Sequence, residues 1–433
     1  MRLYSVLLGT TLVASMAFGC EQADRSEAGE GQDALTVDCS NATDWAAGIA
    51  YSVGKVVLYG GNAYQCLQAH TSQADWTPPA TPALWTAATC SGGGGGSDAG
   101  TDSGGGGVDS GPPPPPPPPP PGGILFSPYK DISINMDWNT SAMRTAVTGS
   151  VIPLVGSNGL IPGKSNLRGV TLAFATGECG SENWAGVTRS AFASANIAGL
   201  DSNGVSYVVS TGGAAGSFRC SSQSGMTNFI NQYMSSHLVG IDYDIEGGLS
   251  QSDIDNLVAQ TKSAESQFPN LRFSFTLATL AASDGSHGGL NSLGDMVVKS
   301  IKAAGLPRYT INLMVMDYGN TSPSVCVVQN GTCNMGQSAI QAVQNLQFAY
   351  GIAASQIELT PMIGQNDTVS EVVSLTDVDT ISNYVKSQGL AGVHFWSLDR
   401  DAPCPGGSTS STCSSTSNPS LAYTNRFLSD LGN

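Results

Sequence analysis

Residues 237–247 read His237-Leu-Val-Gly-Ile-Asp-Tyr-Asp-Ile-Glu-Gly247, and this stretch decides the fold. Its first half is apolar and β-branched and follows a helix-compatible run, residues 225–236, which predicts a buried strand behind a crossover helix. Side chains alternate faces along a strand, so Asp242, Asp244 and Glu246 share one face at intervals of roughly 7 Å. Buried carboxylates so close repel one another and do not stabilise a fold. We interpret them as a graded acid system in which Glu246 keeps its proton as a general acid.

A calcium site or a solvated edge strand is the alternative interpretation of the same acids. Calcium loops usually carry Gly and Asn between their acids and use backbone carbonyls as ligands. Here the intervening residues are Tyr243 and Ile245, which are large and mainly apolar. The sequence therefore favours acid chemistry over a cation site, and no cofactor or metal ion is expected.

The stretch resembles the active-site strand of glycoside hydrolase family 18, the chitinase family, whose usual pattern is D-G-x-D-x-D-x-E. In this chain the pattern runs from Val239 to Glu246, with the glycine and three acids in place. Val239 replaces the family's first Asp, which lies farthest from the substrate. The resemblance implies a barrel fold and hydrolysis of chitin.

Residues 124–433 are predicted to form an α/β domain, a (β/α)8 TIM barrel, because roughly 300 residues is an ordinary size for that fold. β-branched strands alternate there with helix-compatible segments, which indicates a parallel sheet. The candidate strands are Tyr129–Asn135, Gly169–Ala175, Ser206–Ser210, Val239–Glu246, Arg272–Ala278, Thr310–Asp317, Ile357–Ile363 and Gly392–Ser397.

Two further strand ends resemble family 18 motifs. Residues 210–213, Ser-Thr-Gly-Gly, resemble the S-x-G-G signature, and we expect Gly212 and Gly213 to let the backbone approach a ligand closely. Residues 314–318, Met-Val-Met-Asp-Tyr, resemble the M-x-M-D-Y variant of bacterial members. The resemblance implies that Met314, Met316 and Asp317 line the site and that the Tyr318 hydroxyl contacts the substrate acetamido group.

Two later stretches resemble the last strand ends of the same bacterial group. Within residues 361–367, Gln365 and Asn366 are candidate hydrogen-bond partners of the sugar. Within residues 393–401, Trp396 corresponds to the tryptophan that forms the hydrophobic floor beneath the sugar at the cleavage point. A buried core tryptophan is the alternative interpretation of Trp396.

The resemblance implies substrate-assisted catalysis with retention of configuration, an exception to the two-carboxylate scheme. Glu246 protonates the glycosidic oxygen while the N-acetyl oxygen of the substrate attacks the anomeric carbon. Asp244 orients the acetamido N–H, and Asp242 holds Asp244 by sharing a proton with it. Tyr318 steadies the acetamido oxygen.

Residues 39–90 are predicted to form a small all-β module closed by cysteines. The module resembles carbohydrate-binding module families 5 and 12, which bind chitin, and its predicted core residues are Trp45, Tyr51, Tyr64 and Trp85. Ala69 and His70 occupy the positions where many members carry a tryptophan pair. Trp76, in a polar loop, is therefore our candidate for stacking on a sugar.

The remaining segments predict export and separation of two modules. Residues 1–19 read as a secretory signal peptide. Cys20 follows an imperfect lipobox, so we expect a chain that is secreted or lipid-anchored at Cys20, on the bacterial outer membrane or cell surface. Residues 20–38 form a polar tether. Residues 91–123 are a Gly/Ser-rich and polyproline linker with ten consecutive prolines from Pro112 to Pro121.

Charge and cysteine content agree with this assignment. The formal net charge is -16 and 12% of the residues are charged, which argues against nucleic acid and favours a neutral polymer such as chitin or its oligosaccharides. We expect a monomer. Proximity among the 10 cysteines leaves Cys66 as a buried thiol. The predicted disulfides are Cys39–Cys90, Cys179–Cys220, Cys326–Cys333 and Cys404–Cys413.

Chitinase is therefore the predicted activity. The chain between Asp317 and Pro361 leaves little room for an extra wall domain, which favours an open groove and internal cuts. An endo-β-N-acetylglucosaminidase acting on glycoprotein glycans is the alternative enzyme, disfavoured by the chitin-binding-like module. A chitin-binding lectin on an inactive barrel is the alternative from another class, disfavoured because such proteins usually lack the acid at position 246.

Overall fold

The computed structural model describes two parts of the chain. In the N-terminal part these are residues 36–37, 39, 42–46, 49–52, 54–60, 62–66, 70–72, 77–78 and 85–90; in the C-terminal part they are residues 123–404, 406 and 408–432. The chain divides into two units between Asp109 and Ser110. The signal prediction and most of the tether and linker predictions lie outside the described residues. Thr36 and Val37, which were predicted to belong to the tether, instead form a strand that pairs with Thr89 and Cys90 of the module.

The N-terminal module is an all-β unit, as predicted. Its core holds Tyr51, Val57, Cys66 and Trp85, with Trp45 and Tyr64 packed against them. Tyr51 and Trp85 meet edge to face with ring centroids 5.0 Å apart. The strands are Thr36–Val37, Thr43–Asp44, Ala50–Tyr51, Val56–Tyr59, Asn62–Cys66, His70–Thr71 and Trp85–Cys90.

The C-terminal domain is a closed parallel barrel, which confirms the predicted fold class. Its strands are β1 (Leu125–Phe126), β2 (Tyr129–Asp131), β3 (Gly169–Ala175), β4 (Ser206–Gly212), β5 (Leu238–Asp244), β6 (Arg272–Ala278), β7 (Thr310–Met314), β8 (Ile357–Thr360) and β9 (Gly392–Val393). The hydrogen-bonded order is β1-β9-β8-β7-β6-β5-β4-β3-β2.

The barrel closes through its first strand, which is split in two. β1 pairs with β9 and β2 pairs with β3, and only Ser127 and Pro128 separate the two halves. Proline has no N–H to donate to a strand ladder, which fits a break at this point. The nine segments therefore make eight strand positions. Several predicted strands are shorter than expected, and Glu246 lies just beyond β5 rather than within it.

Seven α-helices cover the barrel within the described residues. They are α1 (Arg189–Ser202), α2 (Gln223–Gln232), α3 (Gln251–Gln267), α4 (Ser292–Ala304), α5 (Met335–Tyr350), α6 (Leu375–Gln388) and α7 (Ala422–Leu431). Residues 132–168, all described, contain short paired strands in place of a helix: Arg144–Thr145 with Ile152–Pro153, and Val155–Gly156 with Ile161–Pro162. The first β/α unit therefore departs from the regular repeat.

The remaining short elements lie in the loops that connect the barrel strands and helices. They are the strands Gly177–Glu178, Asn183–Trp184, Val187–Thr188, Phe218–Arg219, Val328–Gln329, Thr332–Cys333, Gly364–Gln365 and Val372–Val373, and the 3₁₀ turns Ala354–Gln356 and Leu398–Arg400. Of the helices that the structure describes, none combines the length and apolar character required to span a bilayer.

Four disulfides join the cysteine pairs that proximity predicted. They are Cys39–Cys90, Cys179–Cys220, Cys326–Cys333 and Cys404–Cys413. Three of them tie loops of the barrel domain, and the first links the two ends of the module. Cys66 is buried in the module core, as expected.

Candidate active site

The three acids of the signature follow one another along the upper part of β5 and the turn after it. Asp242 and Asp244 are buried inside the barrel, and Glu246 follows the strand and is exposed to the cleft. Parallel pairing places β5 between β4 and β6, so residues from both neighbours surround the acids. The carboxyl ends of barrel strands are where TIM-barrel enzymes carry their chemistry.

Four hydroxyl groups saturate the deepest acid, Asp242. Ser210 and Tyr129 donate to its Oδ2 at 2.6 and 2.9 Å. Ser274 and Thr276 donate to its Oδ1, both at 2.7 Å. Burial raises the pKa of Asp242 and these hydrogen bonds oppose the rise. Among the described residues Asp242 bonds these hydroxyls and no hydrogen bond joins it to Asp244, so the shared proton stays a prediction.

Asp244 has the opposite environment. Its Oδ1 is buried and has no hydrogen-bond partner among the described residues. Burial raises the pKa of Asp244 well above its usual range, and the charges of Glu246 and Asp242 raise it further. A buried acceptor without a donor is costly unless a ligand supplies one. The position therefore suits an N–H group of a bound substrate.

Glu246 stands where three cavities meet. Their volumes are about 270, 400 and 420 Å³, and its side chain lines all three. The cleft walls displace water from its carboxyl and so raise the pKa of Glu246. A carboxyl with a raised pKa at the junction of cavities suits a general acid that acts on a bond spanning them.

Aromatic and thioether side chains form the walls of the 270 Å³ cavity. Trp396 lines it, as predicted, and stacks on Phe174 with ring centroids 5.7 Å apart and planes inclined by 16°. The lining residues are Tyr129, Phe174, Ala214, Asp244, Glu246, Thr276, Met314, Met316, Asp317, Thr360, Met362, Asp367 and Trp396. Flat aromatic faces of this kind suit the apolar face of a sugar ring.

Sequence reasoning missed Tyr129 and Phe174. Each lies on a strand that was predicted, and period-2 alternation could have marked both as inward-facing candidates. Which inward residue reaches the cleft depends on strand register, however, and no motif identified them. Phe174 pairs with Trp396 although 222 positions (396 minus 174) separate them in the chain.

Of the four predicted site residues at the end of β7 and in the turn after it, three line the cleft and one does not. Met314, Met316 and Asp317 line the cleft, whereas Tyr318 is buried in the core and is not part of the cleft lining. Asp317 has a φ of 51°, and this left-handed residue redirects the chain. Glu371 accepts hydrogen bonds from the backbone N–H groups of Tyr318 and Gly319, both at 3.0 Å.

The Tyr318 hydroxyl has no hydrogen-bond partner among the described residues. We expected this hydroxyl to contact an acetamido group of the substrate. In the structure Met316, and not Tyr318, lines the cavity. The contact therefore stays a prediction.

Gly212 and Gly213 are needed for a reason different from the one we expected. Both have positive φ, 87° and 77°. A Cβ on Gly212 would lie 2.1 Å from the Asp244 carbonyl oxygen, and a Cβ on Gly213 would lie 2.7 Å from the Phe174 ring. Close contacts within the protein, rather than with a ligand, therefore require glycine at both positions. Gly213 also borders the 420 Å³ cavity.

Gln365 and Asn366 do not line the cleft. Asn366 is fully buried, and its amide donates to the carbonyl oxygens of Met362 and Gly364 at 2.8 and 3.1 Å. Gln365 belongs to a hairpin strand whose backbone bonds Ser414. The next residue, Asp367, lines the cavity instead. Trp76 lies outside the described residues.

Comparison with known proteins supports both predicted resemblances. Residues 44–86 match the model of Carbohydrate-binding module family 5/12. The catalytic domain of the hyperthermophilic chitinase from Pyrococcus furiosus superimposes with a TM-score of 0.54 and 23% identity, covering 72% of this chain and 97% of that one. The C-terminal domain has the fold of a chitinase.

Curated relatives point the same way. Chitinase Chi52 of Paenibacillus xylanexedens is 31% identical over 172 residues, 40% of this chain and 29% of its own length. The probable bifunctional chitinase/lysozyme of Escherichia coli is 27% identical over 228 residues, 48% of this chain and 24% of its own length. The chain thus spans less than a third of either relative.

Proposed function

We propose that this chain is a chitinase that hydrolyses the β-1,4 bonds of N-acetylglucosamine polymers. The observation that carries the proposal is the row of acids under an aromatic-walled cavity. Glu246 lines the cavity and its pKa is raised, and Asp244 beneath it has an acceptor oxygen that finds no donor among the described residues. Similarity to chitinases supports this substrate class.

The geometry favours a substrate-assisted, retaining mechanism. Glu246 donates its proton to the glycosidic oxygen, and the bond from that oxygen to the anomeric carbon breaks. The acetamido oxygen of the same sugar attacks that carbon while Asp244 accepts the acetamido N–H. Water then opens the resulting oxazolinium ion, and Glu246 recovers a proton. Because both acids approach from β5, neither is placed to attack from the opposite face.

We also propose that the chain is exported, with lipid attachment at Cys20 as one route. Four disulfides support an oxidising destination. Metabolic labelling of cells with a fatty-acid analogue, comparing Cys20 with Cys20→Ser, separates lipid attachment from free secretion.

Two variants should separate catalysis from polymer binding. Glu246→Gln keeps the shape of the side chain but cannot donate a proton, so kcat on a soluble chitin oligomer should fall about 10²–10⁴-fold while oligomer binding persists.

Removing residues 39–90 should leave oligomer hydrolysis unchanged and weaken adsorption to insoluble chitin, because a long linker couples modules only through effective concentration. Asp284→Asn, an acid-to-amide change at an exposed position, is the control.

Near-normal turnover by Glu246→Gln would refute the assignment of the acid. Proton NMR early in the reaction should show the β-anomer of the product first, and initial α-anomer would refute retention. Activity on glycoprotein glycans without activity on chitin oligomers would identify the alternative enzyme.

A further inference from the structure

The loops after β7 and β8 form one wall of the cleft. Met316 and Asp317 in the first loop and Asp367 in the second line the 270 Å³ cavity, and Met316 and Asp317 also line the 400 Å³ cavity. The two loops leave neighbouring strands, but the pairing of those strands stops at Met314 and Thr360. Beyond these two residues, contacts other than a strand ladder must hold the loops together.

Hydrogen bonds cross between the two loops in both directions. The Glu371 carboxyl group accepts from the backbone N–H groups of Tyr318 and Gly319, one at each oxygen and both at 3.0 Å. In return, Asp317 Oδ1 accepts from the Thr368 N–H at 2.8 Å. Each loop therefore binds its backbone N–H groups to an acidic side chain of the other.

The backbone of the first loop explains why it needs such a partner. Asp317 and Gly319 both have positive φ, 51° and 91°. Left-handed residues in a turn can aim successive N–H groups in one direction and so form a concave site for an acidic group. A left-handed Asp is also unfavourable by itself and persists where its neighbours hold it. Glu371, which is 0% exposed, occupies this concave site.

We propose that Glu371 is a positioning residue that fixes the cleft wall by holding the backbone N–H groups of Tyr318 and Gly319. The fixed turn presents Met316 and Asp317 to the substrate. The proposal rests on the proposed function and adds a residue to it. Glu371 is not part of the lining of the 270, 400 and 420 Å³ cavities, so it acts on the substrate through the wall.

The reacting groups are held independently of this wall. Asp244 ends β5 and Glu246 follows it, and Asp242 below them is bonded by hydroxyls from β2, β4 and β6. Among the described residues, no side-chain hydrogen bond joins these acids to the loops after β7 and β8. A looser wall should therefore weaken substrate binding more than it slows the chemical step, which is seen as a higher KM with a nearly unchanged kcat.

Glu371→Gln is the test variant, because the amide keeps the size of the side chain but replaces one acceptor oxygen by an NH₂ donor. One backbone N–H of the turn then faces a donor. KM for a soluble chitin oligomer should rise about 10-fold, with kcat within about 2-fold of the parent value. In the slowly reacting Glu246→Gln background, the Kd of the same oligomer, measured by calorimetry, should rise by a similar factor.

Asp401→Asn is the matched control. Asp401 is 1% exposed and likewise accepts from two successive backbone N–H groups, those of Tyr423 and Thr424, at 3.1 and 2.7 Å. These N–H groups belong to the first turn of α7, and Asp401 is not part of the lining of the three cavities. Both variants should lower the urea concentration at the midpoint of unfolding, but only Glu371→Gln should raise KM.

An unchanged KM in folded Glu371→Gln, or an equal rise in Asp401→Asn, would overturn the proposal, because the bonds to Glu371 would then serve stability alone. If Glu371→Gln does not fold, Glu371→Asp takes its place. This variant keeps the carboxyl group but is one methylene shorter and loses at least one N–H bond, so the same rise in KM is expected. Failure of the proposed function is seen separately, as absence of chitin hydrolysis by the unmodified chain.

Discussion

Buried carboxyl groups at the two ends of the barrel interior have opposite charged neighbours and opposite pKa shifts. Asp244 at the upper end is 6% exposed and Glu358 at the lower end is 2% exposed. Glu358 has Arg272 at 2.7 Å and His394 at 3.3 Å, and its pKa is held at about 2. Asp244 has acids as its charged neighbours, and burial followed by those charges raises its pKa.

The contrast shows that partners, rather than depth, decide what a buried acid does. A carboxylate paired with cations is fixed in one charge state and contributes to the fold. A carboxylate among other acids, with one oxygen unsatisfied, destabilises the fold and is poised to change state or bind a donor. Asp244 is of the second kind, and it lines the cleft.

The largest expected difference follows from breaking the lower pair. Glu358→Gln leaves Arg272 and His394 without their carboxylate, so unfolding at pH 7 should require about 3–5 kcal/mol less free energy, measured by urea unfolding. The folded pKa is lowered, so the stabilisation by Glu358 is present above the unfolded pKa of about 4.3 and is lost as pH falls towards 2. The variant should therefore approach the parent protein in acid.

Glu265→Gln is the matched control for that measurement. Glu265 is 3% exposed, and burial raises its pKa to about 7. Its substitution should be less destabilising at pH 7, because the ionised form gains less from its surroundings. Equal losses of unfolding free energy for Glu358→Gln and Glu265→Gln would mean that burial, not pairing, sets the effect.

The same acid-to-amide change at the upper end should separate activity from stability. Asp244→Asn should lower kcat on a chitin oligomer about 10²–10³-fold, since the carboxylate no longer stabilises the charge that develops in the transition state. Its folded pKa is raised, so the penalty of the native acid appears as pH rises above about 3.9. At pH 7 the variant should be as stable as the parent or more stable.

Urea unfolding of Asp244→Asn at neutral and acid pH checks this expectation. A loss of stability at pH 7 comparable with that of Glu358→Gln would remove the distinction between the two ends.

The smallest expected effect concerns the hydroxyls between the two ends. Tyr129→Phe removes one of the four donors to Asp242, so the free energy of unfolding should fall by about 1.5–3 kcal/mol. Ser210→Ala removes another donor to the same Oδ2 and is the comparison variant. Similar losses would indicate that the two donors contribute equally. A loss confined to Tyr129→Phe would indicate that the other partners of its hydroxyl, Thr276 Oγ1 and Asn312 Nδ2, matter more.

Several predictions made from local sequence patterns agree with the structure. The spacing of Asp242, Asp244 and Glu246 placed them on one face of a strand, and the ranges Gly169–Ala175 and Arg272–Ala278 match strand for strand. The four disulfides followed from proximity. Such features depend on side-chain alternation or on short separations, which are visible in a linear chain.

The sequence by itself therefore determined the barrel, the acid row and the presence of Trp396 in the cleft wall. Tertiary structure decided that Met316 and not Tyr318 faces the cleft, that Asn366 is buried, and that Asp242 bonds hydroxyls rather than Asp244. These outcomes depend on contacts between distant strands: Ser127 meets His394 across 267 positions. Strand register and one left-handed turn at Asp317 set them, and neither leaves a local signal.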